Sequence, residues 1–322
     1  MKIHLAPMEG VVDYLVRDQM TAIGGVDHCV TEFVRVVDQP LPRRVFRRLC
    51  PELDNHCRTP SNTPVKLQLL GGQAPAMAEN AHRAIKAGAQ SIDLNFGCPA
   101  KTVNKSDGGA CLLRTPNRLY DIISAVRKAV PKEIPVSAKI RLGFDNRTGY
   151  VECAHACQEG GASELVVHGR SKADGYRPPA YWDCIGEIRQ ALTINVVANG
   201  EIWSLDDYHR CIAESGCTDI MLGRGLLARP DLALQIKAVQ RGQDYQLNSW
   251  HWALAQLHQY YQTSLPIYPI KYAGNRVKQW LMYLRTAYPE AHHFFETIKK
   301  ERAPEAIETI FQQQLALAPT DD

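Results

Sequence analysis

Eight short apolar runs divide the first three-quarters of the chain: Ile3–Pro7, Cys29–Phe33, Val65–Leu69, Ser91–Asn95, Val136–Ile140, Glu164–His168, Asn195–Ala198 and Asp219–Leu222. They are continuous rather than alternating, as expected of parallel strands covered on both faces. Helical spacing fills the gaps between them. Pro75 opens one helix, with Met77, Ala81, Ala84 and Ile85 on its inner face and Gly88 closing it. Thr115 caps a second and Pro116 starts it; this helix carries Leu119, Ile122, Ile123, Val126 and Val130 inward. Eight strand–helix units predict an α/β protein with a (β/α)8 TIM barrel. An open doubly wound sheet is the rival, but no Gly-x-Gly-x-x-Gly follows the first strand.

The pattern changes near Arg241–Gly242. Beyond it the chain is helical and aromatic, with Trp250, Trp252, Tyr260, Tyr261, Trp280 and Phe294 among its apolar positions, and no strand signal returns. We expect a barrel over residues 1–242 and a small all-α domain over residues 243–322, with Ala318–Asp322 frayed.

Composition narrows the class without naming it. With 45% hydrophobic and 22% charged residues, the 322-residue chain reads as a soluble globular protein. A net charge of +3 is too mild to imply nucleic acid by itself. The ten cysteines repeat no paired spacing, no run is long enough for a bilayer, and Met1–Leu5 leads straight into a strand. The expectation is a monomeric cytoplasmic protein with reduced thiols and no metal. Cys153 and Cys157 share a helical face, but no second ligand pair follows them, so they read as packing.

In a barrel, chemistry belongs at the carboxyl ends of the strands. The fourth run ends in Asn95-Phe96-Gly97-Cys98-Pro99, followed by Gly108-Gly109. A thiol there, with an ordinary pKa of about 8.5, stays largely protonated at neutral pH and can donate a proton as well as attack. Lys139 lies in an apolar strand, where an inward ammonium calls for an anion. Arg141 follows it. Gln68 both donates and accepts, as a planar amide-containing ring requires. His168 can donate to a phosphate or a ring carbonyl. Asn199-Gly200-Glu201 and Gly223-Arg224-Gly225 end the last two runs, where many barrels bind phosphate. Flavin mononucleotide fits this set: phosphate at the last two strand ends, ring edge at Gln68 and Lys139, and Pro7 and Met8 beneath the ring. A flavin with a proton-donating thiol above it suits reduction of an activated C=C bond.

These segments, together with Ala6-Pro7-Met8-Glu9-Gly10, Thr31-Glu32-Phe33 and Lys139-Ile140-Arg141-Leu142-Gly143, resemble the bacterial tRNA-dihydrouridine synthases, in order and across the whole barrel. The resemblance implies reduction of a tRNA uridine to 5,6-dihydrouridine, with hydride delivered from reduced flavin to C6. NADPH would be the electron source and Cys98 the acid at C5. It implies that Pro7, Met8, Glu9, Gln68, Lys139, His168, Asn199, Gly200, Glu201, Gly223 and Arg224 hold the flavin, and that Asn95 touches the target uridine. Glu32 to Gln39 and Arg276 to Leu281 resemble the subfamily acting on uridine 16 of the D-loop. That likeness implies tRNA contacts, across D-loop and elbow, at Arg35, Tyr176, Arg276, Lys278 and, on spacing alone, Lys299. Basic residues gather in the same places: Arg43, Arg44, Arg47, Arg48 and Arg58 after the second strand, and Lys271, Arg285, Lys300 and Arg302 near the end. Charge reversal at Arg276 and Lys278 is expected to weaken tRNA binding and leave flavin content unchanged. The alternatives are a flavin-dependent oxidoreductase of a small pyrimidine, of the dihydroorotate type, a tRNA-binding scaffold, and a flavin-free lyase.

Overall fold

The structure, a computed structural model, describes residues 1–317; Ala318–Asp322, where fraying was expected, lie outside the described residues. The apolar runs become β1 (Ile3–Leu5), β2 (His28–Val30), β3 (Val34–Arg35), β4 (Val65–Leu70), β5 (Ile92–Asn95), β6 (Val136–Arg141), β7 (Glu164–His168), β8 (Asn195–Asn199) and β9 (Asp219–Leu222). All pair in parallel. The ring runs β1-β2-β4-β5-β6-β7-β8-β9 and closes where β9 pairs with β1. It is a closed eight-stranded TIM barrel. The second expected strand, Cys29–Phe33, is corrected here: it breaks at Thr31–Phe33 and resumes as β3. That piece pairs only with the end of β4 and stands outside the ring.

Two apolar layers explain the unbroken runs. Ile3, Leu5, Leu67, Ile92, Leu94 and Ile140 face outward under the helices and are fully buried. Ala6, Val30, Val166, Val197 and Met221 form a smaller cluster separate from that layer. The helices between strands are α1 (Tyr14–Ile23), α2 (Arg43–Leu49), α3 (Ala74–Lys86), α4 (Lys101–Lys105), α5 (Pro116–Ala129), α6 (Tyr150–Glu159), α7 (Trp182–Ala191) and α8 (Leu205–Ser215). In α3, Met77, Ala81 and Ala84 are buried as expected, while Ile85 is only partly so. Thr115 stands at the N-cap of α5, but its side chain makes no capping bond, which corrects that expectation; Pro116 alone marks the start. Cys153 and Cys157 are buried on the packed face of α6.

After α9 (Arg224–Ala228) and α10 (Leu232–Gln240) come α11 (Trp250–Ser264), α12 (Ala273–Leu284), α13 (Glu290–Ile298) and α14 (Pro304–Leu315). Aromatic side chains pack these four together: Phe311 stacks on Tyr261 and His258, and Phe294 meets Phe311 at 5.1 Å. They are also bonded to the barrel. Gln256 meets Gln19 on α1 at 2.8 Å, and Trp280 Nε1 donates to the Leu227 carbonyl at 3.0 Å. No helix among the described residues is long and apolar enough to cross a membrane.

Candidate functional site

A cleft of about 530 Å³ opens at the carboxyl ends of the strands, within the range that holds cofactor-sized ligands. Pro7, Met8, Glu9, Gln68, Asn95, Cys98, Lys139, His168, Tyr176, Asn199, Gly200, Glu201, Gly223 and Arg224 all line it. Arg35, Arg276, Lys278 and Lys299 do not. The walls also include Glu32, Phe33, Arg141, Trp203 and Tyr283. Of these five, Glu32, Phe33 and Arg141 stand at strand ends in the sequence reading, without an assigned role, while Trp203 and Tyr283 carry no such signal.

The loop carrying Cys98 is held by its own backbone. Asn95 Oδ1 accepts from the N–H groups of Gly97 at 3.0 Å and Cys98 at 2.9 Å. Asn104 Nδ2 and the Ala110 N–H both donate to the Cys98 carbonyl, at 3.1 and 3.0 Å. Gly109, at φ +68°, lies so close that a Cβ there would sit 2.9 Å from the same carbonyl, which accounts for a glycine at that position. Arg141 closes the other side, with Nε on the Gly97 carbonyl at 2.9 Å and Nη1 on the Ser171 and Gly175 carbonyls. Burial pushes the Cys98 thiol above its ordinary pKa. At neutral pH it is therefore held as a thiol rather than a thiolate.

Opposite the loop, Lys139 Nζ donates to Asn199 Oδ1 at 2.8 Å. An ammonium has three donors, so others remain for a ligand. Burial first, then the Arg141 cation, pulls Lys139 from 10.5 to about 7. Between those pH values the unfolded chain binds more protons than the folded one, so stability without a bound ligand rises with pH across that window. Lys139→Met should remove this dependence. The ligand-free variant should melt higher than the parent at pH 7, and the gap should shrink toward pH 10. Because the open cleft admits solvent, a gap of about 1 kcal/mol is expected rather than the full shift. Identical melting of the two proteins at both pH values would rule out a desolvated ammonium.

His168 lies beside this lysine. Burial, and then Arg141, Lys139, Arg170 and Arg224, hold it well below 6.5, so it is neutral. Its Nδ1 is buried without a partner. A buried ring nitrogen with no partner is costly to leave unmet. Gln68 is more committed than its sequence position suggested: Nε2 donates to Asp93 at 2.7 Å, and Oε1 accepts from Asn95 at 2.8 Å.

At the far end, Gly225 lets the turn after β9 pack against the turn after β8; a Cβ there would stand 2.0 Å from the Ile202 carbonyl. Glu201, at φ 60°, is paired with the buried Arg170, and Arg224 approaches it at 3.6 Å. The Arg224 guanidinium lies 5.0 Å from the ring centres of both Tyr176 and Trp203. Tyr176 itself is 54% exposed, edge-on to His168. Lysine, neutral imidazole and a stacked arginine thus line one cleft, a donor set suited to a planar, phosphate-bearing cofactor.

The four basic residues outside the cleft differ among themselves. Arg35 lies near the Cys98 loop and bonds the Thr102 carbonyl and Ser106 Oγ. Arg276 pairs with Asp13 and donates to the Gly10 carbonyl at 2.5 Å. Lys278 donates to the Glu301 carbonyl, and Lys299 pairs with Glu296. The cluster after β2 is partly neutralised from within, because Arg43 and Arg47 both face Asp54.

Comparison with known proteins gives a consistent result. A family model described as dihydrouridine synthase matches residues 4–316. The tRNA-dihydrouridine(16) synthase of Pseudomonas putida is 51% identical over 94% of this chain and 93% of its own. That of Aquipseudomonas alcaligenes is 49% identical over 99% and 100%. Among solved structures, a 2-naphthoyl-CoA reductase shares the fold with a TM-score of 0.56 and 11% identity, over 75% of this chain and 50% of its own.

Proposed function

The chain belongs to the dihydrouridine synthase family, and from that premise we propose that it reduces uridine 16 in the D-loop of tRNA to 5,6-dihydrouridine. Flavin mononucleotide would be the cofactor and NADPH the source of electrons. The observation that carries this reading is a protonated thiol, Cys98, facing the same cleft as a buried, anion-seeking Lys139. A thiol acid beside a site for a reducible ring is what addition of hydride and proton across C5=C6 needs.

The residues present fit a flavin. Lys139, with donors to spare, would balance the negative charge of its reduced ring. His168 Nδ1 would gain the partner it lacks. Arg224, at the glycine-rich turns after β8 and β9, would take the phosphate, with Asn199, Gly200, Glu201 and Gly223 shaping the seat and Pro7, Met8, Glu9 and Gln68 lining the ring's surroundings. Reduced flavin, when bound, supplies the hydride that uracil C6 accepts. Cys98 then gives up its S–H proton to C5, the C5=C6 π bond is lost, and the thiolate regains a proton from water. Asn95 and Tyr176 would border the uracil. The target base must leave its stack to reach the cleft, a cost that is small for a loop nucleotide. We assign the tRNA face to Arg35, Lys278, Lys299 and the helical segment from residue 243 onward, treated as a second domain after the barrel of residues 1–242. Arg276 would act in that face through the contacts described above.

The decisive experiment maps tRNA by mass spectrometry from cells lacking the protein, before and after its gene is restored. A gain of two hydrogens at uridine 16 on restoration is expected. A gain at another D-loop uridine would keep the chemistry and discard the position. No change at any uridine, with a yellow purified protein, would replace the reading with a flavoenzyme of a small pyrimidine.

A further inference from the structure

β5 is an apolar strand that carries a carboxylate. Ile92 and Leu94 face the helices, while Asp93 and Asn95 face inward. Register places Gln68 on β4 and Ser137 on β6 directly beside Asp93. Asp93 is 1% exposed. Its Oδ1 accepts from Ser137 Oγ at 2.6 Å, and its Oδ2 accepts from Gln68 Nε2 at 2.7 Å. No ion pair to it is formed among the described residues. Burial pushes this carboxyl above its ordinary range, opposed by Lys66 and by the bonds from Ser137 and Gln68; a carboxyl at such a position calls for a reason.

We propose that Asp93 is a positioning residue that sets the direction of a hydrogen-bond relay ending on the loop of Cys98. With Ser137 Oγ and Gln68 Nε2 both donating to it, Asp93 acts as an acceptor on both oxygens. The Gln68 amide must therefore turn its nitrogen toward Asp93, which sends Oε1 the other way. There it can meet only a donor, and Asn95 Nδ2 lies at 2.8 Å. Asn95 must then present Oδ1 to the loop, where the Gly97 and Cys98 N–H groups sit at 3.0 and 2.9 Å. Each amide could otherwise be flipped at little cost, because its oxygen and nitrogen ends have nearly the same shape. With both Gln68 and Asn95 flipped, a nitrogen would face two N–H donors and the loop would lose both tethers. The carboxylate excludes that state from one end of the chain, through two side chains that line the cleft.

Asp93→Asn keeps the shape and removes the direction, since a carboxamide at position 93 can donate to Gln68 as well as accept from it. The first readout needs no cofactor and no substrate: the rate at which iodoacetamide alkylates Cys98 in the full-length protein, followed by peptide mass. In D93N that rate should rise several-fold while buried Cys153 stays unreactive. In D93N/Q68E the new amide at position 93 donates to the new carboxylate at position 68, which accepts from Asn95. Direction is restored, and Cys98 should return toward the parent rate; general loosening of the core would not be reversed in this way. The second readout rests on the proposed function. With NADPH-reduced enzyme, reoxidation by unmodified tRNA should slow about tenfold or more in D93N, the effect of losing one to two buried hydrogen bonds. Flavin reduction by NADPH should stay within about twofold, because it does not use the thiol. Unchanged Cys98 alkylation in D93N would overturn the role of Asp93. So would acceleration that D93N/Q68E fails to reverse. If D93N does not fold, Gln68→Met, which cuts the relay between Asp93 and Asn95 and leaves the carboxylate in place, decides by the same measurement: Cys98 alkylation should rise several-fold, and an unchanged rate would overturn the relay. Failure of the parent enzyme to be reoxidised by tRNA would instead count against the tRNA reading, and the alkylation result would still settle Asp93.

Discussion

Replacing Cys98 with Ala should give a folded, yellow protein that binds tRNA and forms dihydrouridine about 10²–10⁴ times more slowly, the usual contribution of a placed general acid. The loop should survive the change, because Asn95, Asn104, Ala110 and Arg141 all hold it through backbone atoms and none of these bonds uses the sulfur. With the thiol pushed up by burial, no thiolate role competes at neutral pH. Flavin reduction by NADPH should be untouched, so the defect should appear only when reduced enzyme meets tRNA. Stopped-flow absorbance separates the two halves. Reoxidation of the variant by tRNA at the parent rate would remove Cys98 from the chemistry.

Charge reversal at Arg276 should do more than weaken RNA binding. The guanidinium pairs with Asp13, donates to the Gly10 carbonyl and reaches the Val11 carbonyl at 3.4 Å. Asp13 in turn caps α1 by accepting from the Val16 N–H. The pair is largely buried, with 18% and 13% of the side chains exposed. Leaving one partner of such a pair alone costs about 3–5 kcal/mol, and a second carboxylate adds repulsion. Arg276→Glu is therefore expected to melt about 4–7 °C lower. It should also lose flavin, because the freed segment runs straight into Met8 and Glu9 of the cleft. The expectation from sequence that flavin content would be unchanged is thus revised for Arg276. It is kept for Lys278, which only touches a carbonyl of its own helical segment. Calorimetry with absorbance at the flavin band tests both: an R276E protein as stable and as yellow as its parent would show that the clamp is dispensable.

The barrel was legible because a parallel strand buried on both faces leaves an unbroken apolar run, and eight such runs leave few alternatives. The break in the second strand was not, since Thr31-Glu32-Phe33 is as strand-like in composition as what precedes it. The cleft residues could be found because a barrel assigns a meaning to each strand end. Asp93 escaped for the opposite reason: it lies inside a strand, not at its end. The signal was nevertheless present, as a carboxylate among Ile92 and Leu94 has no bland explanation. Arg276 could be read as basic but not as paired, because its partner lies 263 positions earlier in the chain.

Closure of the ring has a consequence for how this chain is made. The seam joins Lys2 to Asp219, 217 positions apart, and the β9 partners of β1 come from Ile220 to Leu222. At roughly 5–20 residues per second, a ribosome needs on the order of 10–40 s to deliver the second neighbour of β1 after making the first strand. Throughout that interval the nascent sheet carries an open edge at β1, the kind of template on which other chains can pair. The growing polypeptide is thus most exposed to misassembly late in synthesis, when nearly all of the barrel exists and only its last strand is missing.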